Sequence, residues 1–168
     1  MKVAFFLVVF SSVLVFADQI EEIRALYSGV MGEIEKGNYY KTTTVINSDN
    51  ASYPAVGIYF ENIDFYWEID IEFSFEPSVR FVKINSQYSA IEEYHEFLYY
   101  DTGDLAFVYR KAGIMREIER FYFNRAGELI RFVRGDEIFE LSDGDLTNLT
   151  EEVLKRGTNL AESFSLIH

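Results

Sequence analysis

His95 is the one histidine within the body of the chain, and Glu92, Glu93 and Glu96 stand around it. The phrase His95-Glu96-Phe97-Leu98-Tyr99 begins like the zinc-protease signature, in which two histidines four residues apart share one helix face. Tyr99 stands where the second histidine is required, and the run reads as a strand, where residues four apart do not form that helical pair. No metal site follows. Ser-His-Asp catalysis would also have to use His95, and there is no Gly-x-Ser-x-Gly elbow. Two of the 28 acids could hydrolyse a sugar, but that chemistry depends on a separation in space and no spacing in the chain selects a pair. Asp101-Thr102-Gly103-Asp104 and Asp143-Gly144-Asp145 lack the oxygen-ligand series of a calcium loop and read as turns. These residues name no catalytic group, no metal and no cofactor.

Anion recognition is the other chemistry on offer. Between Arg110 and Arg134 there are seven basic residues and three acids, giving +4 in a chain whose formal charge is −13. Two readings follow. Acidic neighbours neutralise the stretch internally, or it forms a pocket for an acidic ligand, with Arg110, Arg120 and Arg131 as the binding residues. A four-residue turn at Asn124 to Gly127 sets Arg120 opposite Arg131, and like charges directly opposite are unfavourable. A negative group is therefore expected beside them. A two-residue turn at Thr102-Gly103 sets His95 across from Arg110. Tyrosines at even strand positions, Tyr66 among them, are candidates for an exposed contact face for a protein or sugar.

The acidic balance argues against nucleic acid, whose phosphates demand a basic footprint, and against an anionic membrane surface. The absence of cysteine removes disulfides and thiolate chemistry. At the start, Lys2, the apolar run Val3 to Phe10, Val13 to Phe16 and the small residue Ala17 form a secretory pattern. The run is shorter than the roughly 20 apolar residues of a membrane span. Residues 1–17 are read as a signal peptide and 18–168 as one domain without an integral membrane segment, exported to the periplasm or beyond.

The elements that must position these residues change period along the chain. Ile20, Ile23, Leu26, Tyr27, Val30, Met31 and Ile34 make one apolar face of a helix over 20–36, with Gly37-Asn38 as its stop. Gly29 and Gly32 suggest a close approach to a sheet. Tyr40 to Ile46 reads as a strand. From Ile63 to Phe75 apolar side chains fill the odd positions and Asp64, Tyr66, Glu68, Asp70, Glu72 and Ser74 the even ones, which predicts a strand with one buried and one wet face. Val79 to Tyr88 adds a strand, and two hairpins follow around Tyr99 to Leu105 and Tyr122 to Leu129. A last helix runs over 145–165. The order gives an α+β fold: N-terminal helix, antiparallel meander of about six or seven strands, and a C-terminal helix packed on the sheet.

The hairpin phrases Glu96-Phe97-Leu98-Tyr99-Tyr100-Asp101-Thr102-Gly103-Asp104-Leu105-Ala106-Phe107-Val108-Tyr109 and Arg120-Phe121-Tyr122-Phe123-Asn124-Arg125-Ala126-Gly127-Glu128-Leu129-Ile130-Arg131, with the flanking helices, resemble small exported proteins of unknown function from gut-type Gram-negative bacteria. The likeness implies a bacterial envelope or secreted location and no assigned activity. The phrases are also similar to the tyrosine-aspartate repeats of large bacterial shell proteins, though two copies cannot build a shell. The expected function is a non-enzymatic module binding an unknown protein, peptide or polymer. The alternative is a small hydrolase or pocketed enzyme using acids of the sheet, favoured by a concavity that holds His95 or convergent acids. Cleavage after Ala17 predicts a mature chain beginning at Asp18; intact mass of exported material checks this, and a mass that retains residues 1–17 overturns it.

Overall fold

The computed structural model describes residues 3–49, 51–54, 57–69, 75–113, 117–139 and 144–167, without the side chains of 3–17, 53, 112, 144 and 145. Helix α1 (Val3–Lys36) is followed by β1 (Tyr40–Ile46), β2 (Ser52–Tyr53), β3 (Gly57–Ile69), β4 (Pro77–Tyr88), β5 (Ile91–Tyr99), β6 (Leu105–Ala112), β7 (Glu117–Phe123), β8 (Leu129–Arg134), β9 (Glu137–Phe139) and helix α2 (Gly144–Ser165). Strand order is β1-β3-β4-β5-β6-β7-β8-β9, every pairing antiparallel, with β2 added to β3. This is the expected α+β meander between two helices, with more strands than six or seven. The excess comes from the two-residue β2 and from β9, which returns on β8 through Gly135, a residue with φ +60°.

The helices take opposite faces. Ile20, Ile23 and Val30 of α1 bury against Phe81, Leu98, Phe107 and Tyr122. Leu146, Val153, Leu160 and Phe164 of α2 bury against Phe65, Val82, Phe97, Phe121 and Phe132. Because successive strand residues point to opposite faces, neighbours in sequence such as Phe81 and Val82, or Phe97 and Leu98, serve different cores. α1 ends as expected: Gly37 has φ +76°, and its N–H and that of Asn38 donate to Ile34 and Glu33 carbonyls, closing the last turn.

Two expectations need correction. The even positions after Ile63 are a wet face only in part: the Glu68 side chain is 44% exposed, but Asp64 is only 7% exposed and Tyr66 packs at 6.1 Å on the Phe81 ring. Tyr66 joins the core beneath α1, while Asp64 is enclosed by Lys41, Thr43 and Asn62. Residues 70–74 lie outside the described residues, and at the end of the expected run Ile69 is 37% and Phe75 72% exposed, so the buried odd positions stop at Trp67. Gly29 and Gly32 do not meet the sheet, for a Cβ on either touches nothing within 4 Å. The close approach is at Gly157 of α2, where a Cβ would stand 2.9 Å from Leu105 and where the Tyr99 hydroxyl donates to the carbonyl at 2.8 Å.

A sheet with two buried faces predicts that Phe81→Ala on the α1 side and Phe97→Ala on the α2 side each cost about 3–5 kcal/mol. Urea denaturation of the two variants checks this, and a loss at one site alone contradicts the two-core architecture.

Candidate functional site

Cross-strand register builds one polar row on each face. On the α2 side His95, Arg110, Glu119 and Arg134 are direct neighbours on β5, β6, β7 and β8. The Glu119 carboxylate takes Arg110 Nε at 2.7 Å and Arg134 Nη2 at 2.9 Å, and Arg110 also reaches Glu152 of α2 at 3.4 Å. Nearby, Arg156 of α2 pairs with Glu61, whose other oxygen accepts the Tyr59 hydroxyl at 2.8 Å. These groups border an open cleft of about 590 Å³ that also holds Tyr88, Glu93 and His95. His95 Nε2 is buried with no hydrogen bond, and Glu93 stands 3.7 Å away. Burial first, and then the charges of Arg110 and Arg156, push the His95 imidazole down to about 4, so it is neutral at pH 7. The cleft thus brings His95 and several acids together, but Glu61 and Glu119 are each spent on arginines.

The α1 side carries a different row: Glu96, Tyr109, Arg120, Val133 and Ile138 on β5 to β9. Glu96, 8% exposed, accepts hydrogen bonds from Tyr27 of α1 at 2.8 Å and from Tyr94. Burial, followed by those bonds to the carboxylate, raises both tyrosine hydroxyls above their ordinary range. Lys83 lies opposite Glu96 on β4, but its ammonium sits over the Tyr94 ring, 5.6 Å from the centroid. Arg120 donates to the Gly135 carbonyl at 3.0 Å. Among the described residues, neither Arg120 nor Arg131 has a carboxylate within ion-pairing distance. Two adjoining hollows of about 430 and 270 Å³ run between α1 and this part of the sheet, sharing Arg24, Arg120 and Tyr122.

The candidate residues therefore do not form one site. Arg110 is on the α2 face and is neutralised internally. Arg125 is neutralised too, by Asp101 at 2.8 Å and Glu22 at 3.1 Å. Arg120 and Arg131 do share the α1 face, but not as opposites. Phe123 pairs with Leu129, one residue past Glu128, and a bulge at Tyr122/Phe123 adds one more, so that Arg120 faces Val133 and Arg131 faces Tyr122. The two arginines are diagonal neighbours; the expected negative group beside them is Asp136, which lines the same hollow but forms no ion pair with either among the described residues. Tyr66 is on the same face four strands away, with Lys41 over its ring at 5.7 Å. His95 faces Arg110 as expected, but through a five-residue loop from Tyr100 to Asp104 and a bulge at Leu98/Tyr99, not through a two-residue turn at Thr102-Gly103.

Sequence reasoning missed Glu96, Tyr27 and Arg24 as members of the groove. In the sequence Glu96 is only a flank of His95, yet one residue's shift along β5 sends it to the other face. A comparison of the chain with protein-family models, curated proteins and solved structures finds no match.

The His95 shift has a consequence for stability. Its folded value lies below the unfolded one of 6.5, so the unfolded chain binds the proton first. The contribution is complete above pH 6.5 and is lost as the pH falls towards 4, on the order of 3 kcal/mol in all. Urea midpoints at pH 7 and pH 4.5 should therefore converge more closely in His95→Gln than in the parent, and equal pH losses in both contradict the assignment.

Proposed function

We propose that this chain is an exported, non-enzymatic binding module of the bacterial envelope or exterior, whose ligand sets an acidic group in the groove beside α1. Export is supported by the basic start, the apolar segment and Ala17, and by the resemblance of the hairpin phrases. The core contacts of α1 from Ile20 to Ile34 all lie in the part that remains after cleavage. Among the described residues no helix is long and apolar enough to cross a membrane.

The observation that carries the binding site is the pair Arg120 and Arg131. In a chain of charge −13, these two adjacent guanidinium groups form no ion pair among the described residues, although Asp136 lines the same hollow. Val133 and the 62% exposed Ile138 beside them supply apolar contact. Planar guanidinium groups match a carboxylate through paired hydrogen bonds. A hydrolase is the second reading, favoured by the convergence of His95 with Glu61, Glu93 and Glu119 in the opposite cleft.

Titration calorimetry with an acetylated tri-glutamate peptide tests the groove. Arg120→Gln with Arg131→Gln should weaken binding at least tenfold with little change in melting temperature, while Lys155→Gln across the molecule leaves it unchanged. Equal affinity in the double variant overturns the assignment.

A further inference from the structure

The sheet ends differently on its two sides. β9 is three residues long, whereas β1 offers seven, and among the described residues no strand lies beyond it. Which main-chain groups β1 leaves open follows from its partner β3. The Ile58 carbonyl accepts from the Ser89 N–H at the end of β4, and the Tyr59 carbonyl accepts from the Asn47 side chain at the end of β1. Successive residues of a strand direct their N–H and C=O to opposite neighbours, so Glu61, Ile63 and Phe65 share the direction of Tyr59 and bond to β1. Their partners there are Ile46, Thr44 and Thr42. The N–H and C=O groups of Lys41, Thr43 and Val45 therefore point away from the sheet.

Open edges are normally guarded by charge, by proline or by being short. β1 has no such guard. It contains no acid and no proline in a chain of charge −13, and its one cation, Lys41, is turned to Asp64 at 2.9 Å. Thr, Val, Ile and Tyr are strand-favouring residues. Tyr40, Val45 and Ile46 are large apolar side chains left exposed on it.

We propose that β1 pairs antiparallel with β1 of a second copy of this chain, joining the two sheets across a two-fold axis at Thr43. In that register the strand is its own complement. Thr43 faces Thr43, Thr42 faces Thr44, Lys41 faces Val45, and Tyr40 faces Ile46. No like charges meet, threonine pairs fill the centre, and each end sets an exposed ring against an exposed aliphatic side chain. The open groups of Lys41, Thr43 and Val45 meet those of the other copy as hydrogen-bonded pairs. Tyr40 stacks on Trp67 at 4.7 Å, and Trp67 packs on Phe164 of α2, so the ring lies on the α2 face. Ile46 is on that face too, where with Ile167 it borders a hollow of about 200 Å³, and the Tyr40 ring of the other copy arrives beside it. Seven paired residues make a small interface, under about 1,200 Å² in total, and contacts of that size are weak. The dimer is one that dissociates on dilution. This edge lies across the sheet from β7 and β8, so the pairing stands or falls independently of ligand binding in the arginine groove.

Sedimentation velocity of the purified protein over about a hundredfold range of concentration tests this by mass action. A reversible monomer–dimer equilibrium is expected. Val45→Pro removes an outward N–H and no hydrogen bond to β3, a position at which an edge strand tolerates proline. It should weaken the dimer at least tenfold while keeping the parent's melting temperature. Val45→Lys sets like charges opposite each other through Lys41 of the other copy and should also weaken the dimer at least tenfold, whereas Val45→Glu sets opposite charges there and weakens it less. Should Val45→Pro fail to fold, the two charged variants decide. A parent that is monomeric at every concentration overturns the pairing, as does a dimer of unchanged strength in Val45→Pro or of equal strength in Val45→Lys and Val45→Glu.

Discussion

A strand covered on both sides has no wet face on which to put a charge, and this constraint shapes the molecule. β5 to β8 run beneath α1 on one side and α2 on the other, so each ionic residue in them must be neutralised by a strand neighbour, held by hydrogen bonds, or placed where a helix leaves a gap. Glu119 meets the first condition with two arginines. Glu96 meets the second with two tyrosines. Arg120 and Arg131 meet the third, at the edge of α1's cover. The cost of an unpaired buried charge runs to several kcal/mol, which is why these arrangements are not interchangeable.

The two hairpins show how one sequence phrase yields opposite electrostatics. Their turns close alike, with Tyr100 N–H on the Asp104 carbonyl and Asn124 N–H on that of Glu128, and with Gly103 and Gly127 both at positive φ. The copies are 24 residues apart, so His95 and Arg110 correspond to Glu119 and Arg134, while Glu96 corresponds to Arg120. A meander brings the corresponding strands β5 and β7 within two spacings of each other. The replacement of Glu96 by Arg120 in the second copy therefore creates the separated charges of the groove. On the other face, the same repetition sets His95-Arg110 next to Glu119-Arg134 and creates a self-neutralising row.

Much of this was legible in the residues. Helix periodicity from Ile20 to Ile34, the Gly37-Asn38 stop and the apolar stripe of α2 are local patterns, and local patterns survive into the fold. Alternation from Ile63 was legible as a strand but not as a two-faced one, because the polar-tipped Tyr66 packs into the core beneath α1. The distinction depends on a helix some forty residues earlier in the chain. The register of the second hairpin was misjudged for a more tractable reason. A four-residue turn was assumed there, although the first hairpin's pairing, moved by 24 residues, sets Tyr122 against Arg131, as observed. Read as a true copy, the repeat contained the answer.

What separates the two polar hollows is how their charges are used. In the α2 cleft, Glu61, Glu119, Arg110 and Arg156 are in contact, and an incoming ligand would have to break pairs that stabilise the fold before it could form its own. In the α1 groove, Glu96 is held by tyrosines and Arg120 by a main-chain carbonyl and they do not pair with each other, so a ligand at Arg120 would break no ion pair. That carbonyl also holds the Arg120 guanidinium in position beforehand, which lowers the ordering cost of binding. Charges not already spent on ion pairs, rather than the number of charges present, distinguish the groove from the opposite cleft, even though that cleft contains the histidine.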